Sequence, residues 1–151
     1  KSMKTMFFYA PVFGLAILIN SCNTIQNEGV TSQDIIVIKN EIKKYEEIIR
    51  TNELEKLKSI FTDDIVFIRP GNDNITGIDR LLTIHYADVP PVPGFWKSAA
   101  EIYAHGNVAY TYGNYGFSEG NPAGKFMEIR IKQSDGSWPI SRLIWNENSA
   151  N

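Results

Sequence analysis

The stretch Gly124–Asn146, GKFMEIRIKQSDGSWPISRLIWN, constrains what this chain can fold into more than any other. Apolar and polar residues alternate through Met127, Ile129 and Ile131, break at Ser134-Asp135-Gly136, and alternate again through Trp138, Ile140, Leu143 and Trp145. Alternation with period two marks a strand with one buried face, and Asp-Gly supplies the positive φ that a tight reversal needs. The pattern predicts a hairpin with Asp135 and Gly136 central, Ile131 facing Ile140 and Phe126 facing Trp145. In that register Met127, Ile129, Ile131, Ile140 and Ile144 share one face, and Glu128 and Trp145 share the other. The apolar set is expected to pack against helices, which turns Glu128 outward. A bulge near Pro139 would reverse the assignment for Trp145.

The rest of the chain supplies what packs on this hairpin. Thr31 or Ser32 caps a helix, with Asp34 in capping-box position, and Ile35, Ile38, Ile42, Tyr45 and Ile49 form its apolar stripe. Lys39, Lys43, Lys44, Glu46 and Glu47 are expected to stay in water. Thr51 or Asn52 caps a second short helix ended by Asp63-Asp64, and Ile65–Arg69 reads as a strand. A third short helix runs from about Ile78 to Tyr86, and Pro90-Pro91-Val92-Pro93 cannot be helical. Phe95–His105 and Val108–Phe117 form a hairpin about Gly106-Asn107, placing Tyr103 opposite Tyr110 and Glu101 opposite Tyr112. Helices segregated to one side of a mostly antiparallel sheet make an α+β fold. With 151 residues, 43% of them hydrophobic, one domain with a real core is expected.

Charge and cysteine usage narrow the partners. Net charge is −2, from 15 basic and 17 acidic residues with no basic run, which argues against nucleic acid. Cys22 is the sole cysteine, so no intrachain disulfide forms. Lys1 and Lys4 precede an apolar run from Met6 to Ile19, shorter than the roughly 20 residues of a membrane span and typical of an export signal. The run ends in Leu18-Ile19-Asn20-Ser21-Cys22, which resembles a bacterial lipobox, with Asn20 the looser fit. That resemblance implies a signal peptide at 1–21, a lipidated Cys22 opening a flexible tether at 22–31, and a folded domain at 32–148. It also implies a lipid-anchored protein of the cell envelope. No acidic run follows Cys22, so the periplasmic side is the expected address.

The domain itself resembles the NTF2-like superfamily, in particular its SnoaL-like and DUF4440-type members. The residues that carry the likeness are Asn52-Glu53-Leu54-Glu55, Phe61-Thr62-Asp63-Asp64-Ile65-Val66-Phe67, Arg69-Pro70-Gly71 and Ile75-Thr76-Gly77, followed by Gly106-Asn107-Val108-Ala109-Tyr110 and Asp135-Gly136-Ser137-Trp138. The resemblance implies a cone, with three N-terminal helices on a strongly curved sheet around a central pocket, dimeric through the sheet. In the ketosteroid isomerases of that superfamily a first-helix tyrosine, matched here by Tyr45, donates a hydrogen bond to the enolate. Their general base, an aspartate before a proline, is matched by Arg69 before Pro70. A guanidinium that stays protonated cannot abstract a proton. Their second acidic donor maps near Met127 or Glu128.

Candidate pocket residues are therefore Tyr45, Arg69, Trp96, Tyr110, Tyr112, Met127 and Trp145. Arg69 is either a clamp for a ligand carboxylate or phosphate, or the partner of Asp63, Asp64 or Glu101 at the rim. The aromatics are either pocket walls or ordinary core and dimer-face residues. His85 and His105 have no second ligand at metal spacing, the serines lack a nucleophile-elbow pattern, and no metal or cofactor is expected. Three readings follow: a non-catalytic domain binding a small, partly apolar, anionic ligand; an isomerase or dehydratase using Tyr45 with Glu101 or Glu128; and a dimerising interaction module with a vestigial pocket. The lipoprotein reading has a direct check. Intact-mass analysis of the membrane fraction is expected to show acyl mass on Cys22, and an unmodified Cys22 overturns it.

Overall fold

The computed structural model describes residues 29–148; the export segment 1–21, Cys22 and most of the tether lie outside the described residues. Thr31 caps α1 (Ser32–Thr51) with a complete capping box: its hydroxyl accepts from Asp34 N at 3.2 Å, and the Asp34 carboxylate accepts from Thr31 N at 2.9 Å. Ile38, Ile42, Tyr45 and Ile49 of the predicted stripe are buried. So is Glu46, which the pattern had placed in water. Asn52, at φ 62°, ends α1 in the left-handed conformation that asparagine tolerates.

A 3-10 turn, Leu54–Ser59, stands where a second α-helix was expected. Its six residues bury only Leu57, too small an apolar face to extend an α-helix. β1 (Phe61–Ile68) follows at once, so Asp63 and Asp64 are exposed strand residues rather than a helix end. Then come β2 (Ile75–Thr76), α2 (Ile78–Ile84), β3 (Trp96–His105), β4 (Val108–Gly116), β5 (Gly124–Ile131) and β6 (Ile140–Glu147). The six strands form one sheet in the order β2-β1-β6-β5-β4-β3, antiparallel except for the β1–β6 pair. Among the described residues this is an α+β fold with two α-helices and one 3-10 turn.

The two predicted hairpins differ in how faithfully the turn fixes the register. About Gly106-Asn107 the pairing is as read, Tyr103 opposite Tyr110 and Glu101 opposite Tyr112. The closing hairpin turns through three residues instead of two: Gln133 N donates to Ser137 O at 2.9 Å, with Gly136 at φ 84°. That slips the near end by one, so Ile140 pairs with Arg130 rather than Ile131. An irregularity in β6 at Ser141 restores the count, and Phe126 faces Trp145 as expected. β3 carries its own bulge between Ala99 and Glu101, and Gly113 lies against it. A Cβ on Gly113 would sit 1.9 Å from Ser98 O, so only glycine fits.

The expectation for Glu128 is overturned. Phe126, Glu128 and Arg130 face inward, while Met127 and Ile144 are exposed on the outer face. Charged residues take inward positions because they satisfy one another. The Glu128 carboxylate is bound by Lys97 Nζ and by Arg130 Nη2 at 2.7 Å; all three side chains are fully buried. Arg130 Nη1 reaches Glu41 of α1 at 2.8 Å and Trp138 O at 2.9 Å, and Glu41 accepts from Trp138 N at 2.9 Å. Lys97 Nζ also lies 4.0 Å from the Phe126 ring centre and 4.5 Å from that of Tyr45. Burial alone pushes the Glu128 carboxyl up, but Lys97 and Arg130 outweigh it and hold it below the ordinary glutamate range. Burial draws the Lys97 ammonium down to about 8 against the pull of Glu128, so the pair is ionised at neutral pH.

Removing one member strands the others. Glu128→Leu leaves two buried cations and is expected to cost about 3–5 kcal/mol in urea denaturation. The triple variant Lys97→Met, Glu128→Leu, Arg130→Met is expected to recover most of that loss. A Glu128→Leu protein of unchanged stability overturns the assignment.

Candidate functional site

Beyond β1 the chain enters Arg69-Pro70, and proline keeps Arg69 extended and in line with the strand. The parallel register sets Ile68 beside Ile144, so Arg69 arrives level with Trp145 of β6. α2 packs on β1 and delivers His85, its C-cap, above the same strand ends. Together these elements enclose a cavity of about 230 Å³ lined by Phe67, Arg69, Pro70, Asn72, His85, Tyr115, Phe117, Trp145 and Glu147.

Its walls are aromatic and mutually braced. Tyr115 and Trp145 stack with ring centres 4.8 Å apart, Phe67 meets Trp145 edge-on at 5.5 Å, and His85 lies 4.6 Å from Phe67 and from Tyr86. Two donors in this wall have no partner. Arg69 Nε and Trp145 Nε1 are both buried and make no hydrogen bond among the described residues. Leaving such a group unsatisfied costs about 1–3 kcal/mol, so native structures seldom do it without reason. The rim carboxylates that sequence offered to Arg69 are engaged elsewhere or exposed: Asp64 lies 3.8 Å from Arg142, Glu101 accepts from Tyr110 and Tyr112, and Asp63 is exposed. Burial, and then the Arg69 charge, lower the His85 pKa to about 4, so the imidazole is neutral at pH 7.

The other candidates lie apart from this cavity. Tyr45 is fully buried, its hydroxyl 2.6 Å from that of Tyr86 and its ring edge-on to Phe61 and Phe95. Trp96 donates its indole N–H to Ser118 O at 2.7 Å, beside Gly116. Tyr110, Tyr112 and Met127 share the outer sheet face with Tyr103, Ile129 and Ile144, where a shallow hollow of about 460 Å³ opens beside Tyr112 and Met127. The centre of the cone, where a pocket was expected, is filled by Lys97, Phe126, Glu128 and Tyr45. The sequence candidates thus meet in two places: Arg69 and Trp145 in the cavity at the end of β1, and Tyr112 and Met127 in the outer hollow.

Sequence reasoning missed Phe67, Tyr115 and the role of His85. Parity separates these residues: Tyr115 lines the cavity at the end of β1, whereas Tyr110 and Tyr112 stand on the opposite, outer face, where Tyr112 lines the shallow hollow. No group of three His, Cys, Asp or Glu side chains able to hold a metal occurs among the described residues.

Comparison with known proteins supports the fold alone. No family model matches the chain, and no curated protein does. Solved structures do match. An NTF2-like protein of unknown function from Methylobacillus flagellatus KT is 18% identical, with a TM-score of 0.66 over 80% of this chain and 96% of its own. A second, from Shewanella baltica OS155, is 18% identical with a TM-score of 0.65 over 80% and 99%. A ketosteroid isomerase-like protein from Erwinia carotovora atroseptica SCRI1043 is also 18% identical, with a TM-score of 0.61 over 80% and 100%. The chain therefore has the NTF2-like fold; among the described residues its buried side-chain polar atoms without a partner are Arg69 Nε and Trp145 Nε1 at the end of β1 and Thr111 Oγ1 on β4, opposite Glu128.

Proposed function

We propose that this chain is a non-catalytic ligand-binding domain of the NTF2-like fold, taking a small, partly apolar, anionic ligand in the cavity beside Arg69. The observation that carries the reading is the buried Arg69 Nε with no partner among the described residues, set in an aromatic hollow next to a second free donor on Trp145. The rival reading as an isomerase or dehydratase loses support from the same geometry. Tyr45 is committed to Tyr86, Glu128 is neutralised by two cations, and Glu101 sits on the outer face. The motif order that resembles SnoaL-like and DUF4440-type domains favours that subgroup. The lipobox-like segment favours an anchor on Cys22 and a periplasmic address.

A second feature favours a homodimer through the sheet. Tyr103, Tyr112, Met127 and Ile144 are 52%, 40%, 42% and 37% exposed, and all stand on the outer face. An apolar patch of this kind marks an interaction surface, and a second copy of the same face is self-complementary. Sedimentation equilibrium of the chain against Tyr112→Lys is expected to show a dimer that the variant dissociates; two monomers would overturn it.

Two measurements test the cavity. A thermal-shift screen of small carboxylates is expected to raise the melting temperature of the chain but not that of Arg69→Ala. Stabilisation in neither, with Arg69→Ala as stable as its parent, removes the reading. His85 reports the electrostatics independently. Its folded pKa, about 4, lies below the ordinary 6.5, so the unfolded chain takes up the proton first as the pH falls. The stability His85 contributes is present above pH 6.5 and is lost between there and about pH 4. NMR titration is expected to place its midpoint near 4, and higher in Arg69→Ala, because the guanidinium supplies part of the shift.

A further inference from the structure

The cavity's chemistry narrows the class of ligand. Arg69 lines the cavity with a guanidinium whose Nε, the edge that can pair side-on with a planar two-oxygen anion, is covered and unpaired, and Trp145 lines it with a covered, unpaired indole N–H. Tyr115 adds a ring to the wall and a hydroxyl whose pKa is raised by burial and then by Glu147. Glu147 is exposed at the rim and repels a second negative charge. His85, on the α2 side, faces Arg69 without a charge of its own at neutral pH. One fixed cation, one neutral donor and one rim anion suit a single charge better than a phosphate dianion. The cavity of about 230 Å³ holds roughly eight waters at about 30 Å³ each, enough for one substituted aromatic ring and little more.

We propose that the cavity is a site for a compact aromatic monocarboxylate, with the carboxylate shared between Arg69 Nε and the Trp145 indole N–H and the ring packed against Phe67 and Tyr115. The aromatic wall contributes dispersion and shape, and the two free donors contribute orientation. Neither donor has an acceptor in the unliganded cavity among the described residues, so carboxylate entry satisfies both at once. An alcohol or amide of the same size accepts a hydrogen bond from the guanidinium but brings no opposite charge, so the pairing is not charge-assisted. The inference rests on the reading of this cavity as a ligand site, and a set of three probes separates the two.

Benzoate, benzyl alcohol and inorganic phosphate are titrated calorimetrically into the full chain at pH 7. Benzoate is expected to bind at least about tenfold tighter than either of the others, since charge-assisted pairing is what distinguishes it. Arg69→Gln is expected to abolish that preference, weakening benzoate at least about tenfold. Trp145→Phe, which keeps a ring and removes the N–H, is expected to weaken benzoate about three- to tenfold. Equal binding of benzoate and benzyl alcohol overturns the carboxylate assignment and leaves the cavity reading in place. Phosphate binding as tight as benzoate overturns the aromatic monocarboxylate class. Binding of none of the three overturns both. The probe comparison on the unmodified chain decides these outcomes even where a variant fails to fold, and Trp145→Phe with unchanged benzoate affinity removes the second donor.

Discussion

The ion network of Lys97, Glu128, Arg130 and Glu41 is the constraint to which the rest of the structure answers. It joins β3, β5 and α1 across the middle of the fold, with three of its four side chains fully buried. A buried charge is tolerated only when its partners are placed to hydrogen-bonding accuracy. The register of β5 against its neighbours is therefore fixed doubly, by apolar packing and by charge. A slip of one residue would turn Glu128 and Arg130 to solvent and leave Lys97 stranded. The Ser141 irregularity in β6 and the bulge in β3 are the local adjustments that keep this register despite turns that would offset it. Asp34 extends the same logic to the helix start. It completes the capping box, accepts from the Trp138 indole at 3.0 Å and pairs with Lys132 at 2.8 Å, so one carboxylate ties the entry to α1 to the closing hairpin.

Filling the cone with this network has a consequence for the site. Lys97 occupies the space between Tyr45, Phe126 and Glu128, and the two tyrosine hydroxyls at 45 and 86 satisfy each other. Little polar capacity remains at the centre. At the ends of β1 and β6 the reverse holds. Aromatic rings brace one another, and the polar atoms between them lack partners. A centre whose charges are paired, with only the Thr111 hydroxyl left over among the described residues, contrasts with a rim that holds two unpaired N–H donors.

How much of this was legible in the sequence depends on which force set each feature. The Gly106-Asn107 hairpin was readable to the residue because its two-residue turn matches the strand twist and dictates the pairing. The closing hairpin was readable at Phe126–Trp145 and misread at Ile131, because two local irregularities cancel and neither leaves a mark in composition. The facing of Glu128 was misread for a deeper reason. Hydrophobic patterning prices each residue alone, whereas Glu128 and Arg130 enter the core as a group with Lys97 and Glu41, far away in the chain. Sequence marked Arg69 as a guanidinium where the resemblance implies a carboxylate, but its lack of a partner among the described residues is a fact of three dimensions. So is the contribution of Tyr115, which one step of strand parity sends to the opposite face from Tyr112.

The residues around the cavity also bear on catalysis. Proton transfer needs a group of suitable pKa and a second group to orient it. A guanidinium has no acceptor and is not a base, and Glu147 is exposed at the rim. His85 is neutral at pH 7 and could accept a proton, yet its ring is held by a tilted contact with Phe67 and an edge-on contact with Tyr86, with no hydrogen bond to fix its tautomer among the described residues. A weakly basic imidazole free of an orienting partner is poorly suited to abstract a proton from carbon. The same ring serves binding well, because a neutral, flat surface beside a fixed cation accommodates an aromatic anion without competing for its charge. On the proposed reading, the guanidinium at the end of β1, where the resemblance to ketosteroid isomerases implies a carboxylate, would hold a charge still and not move a proton.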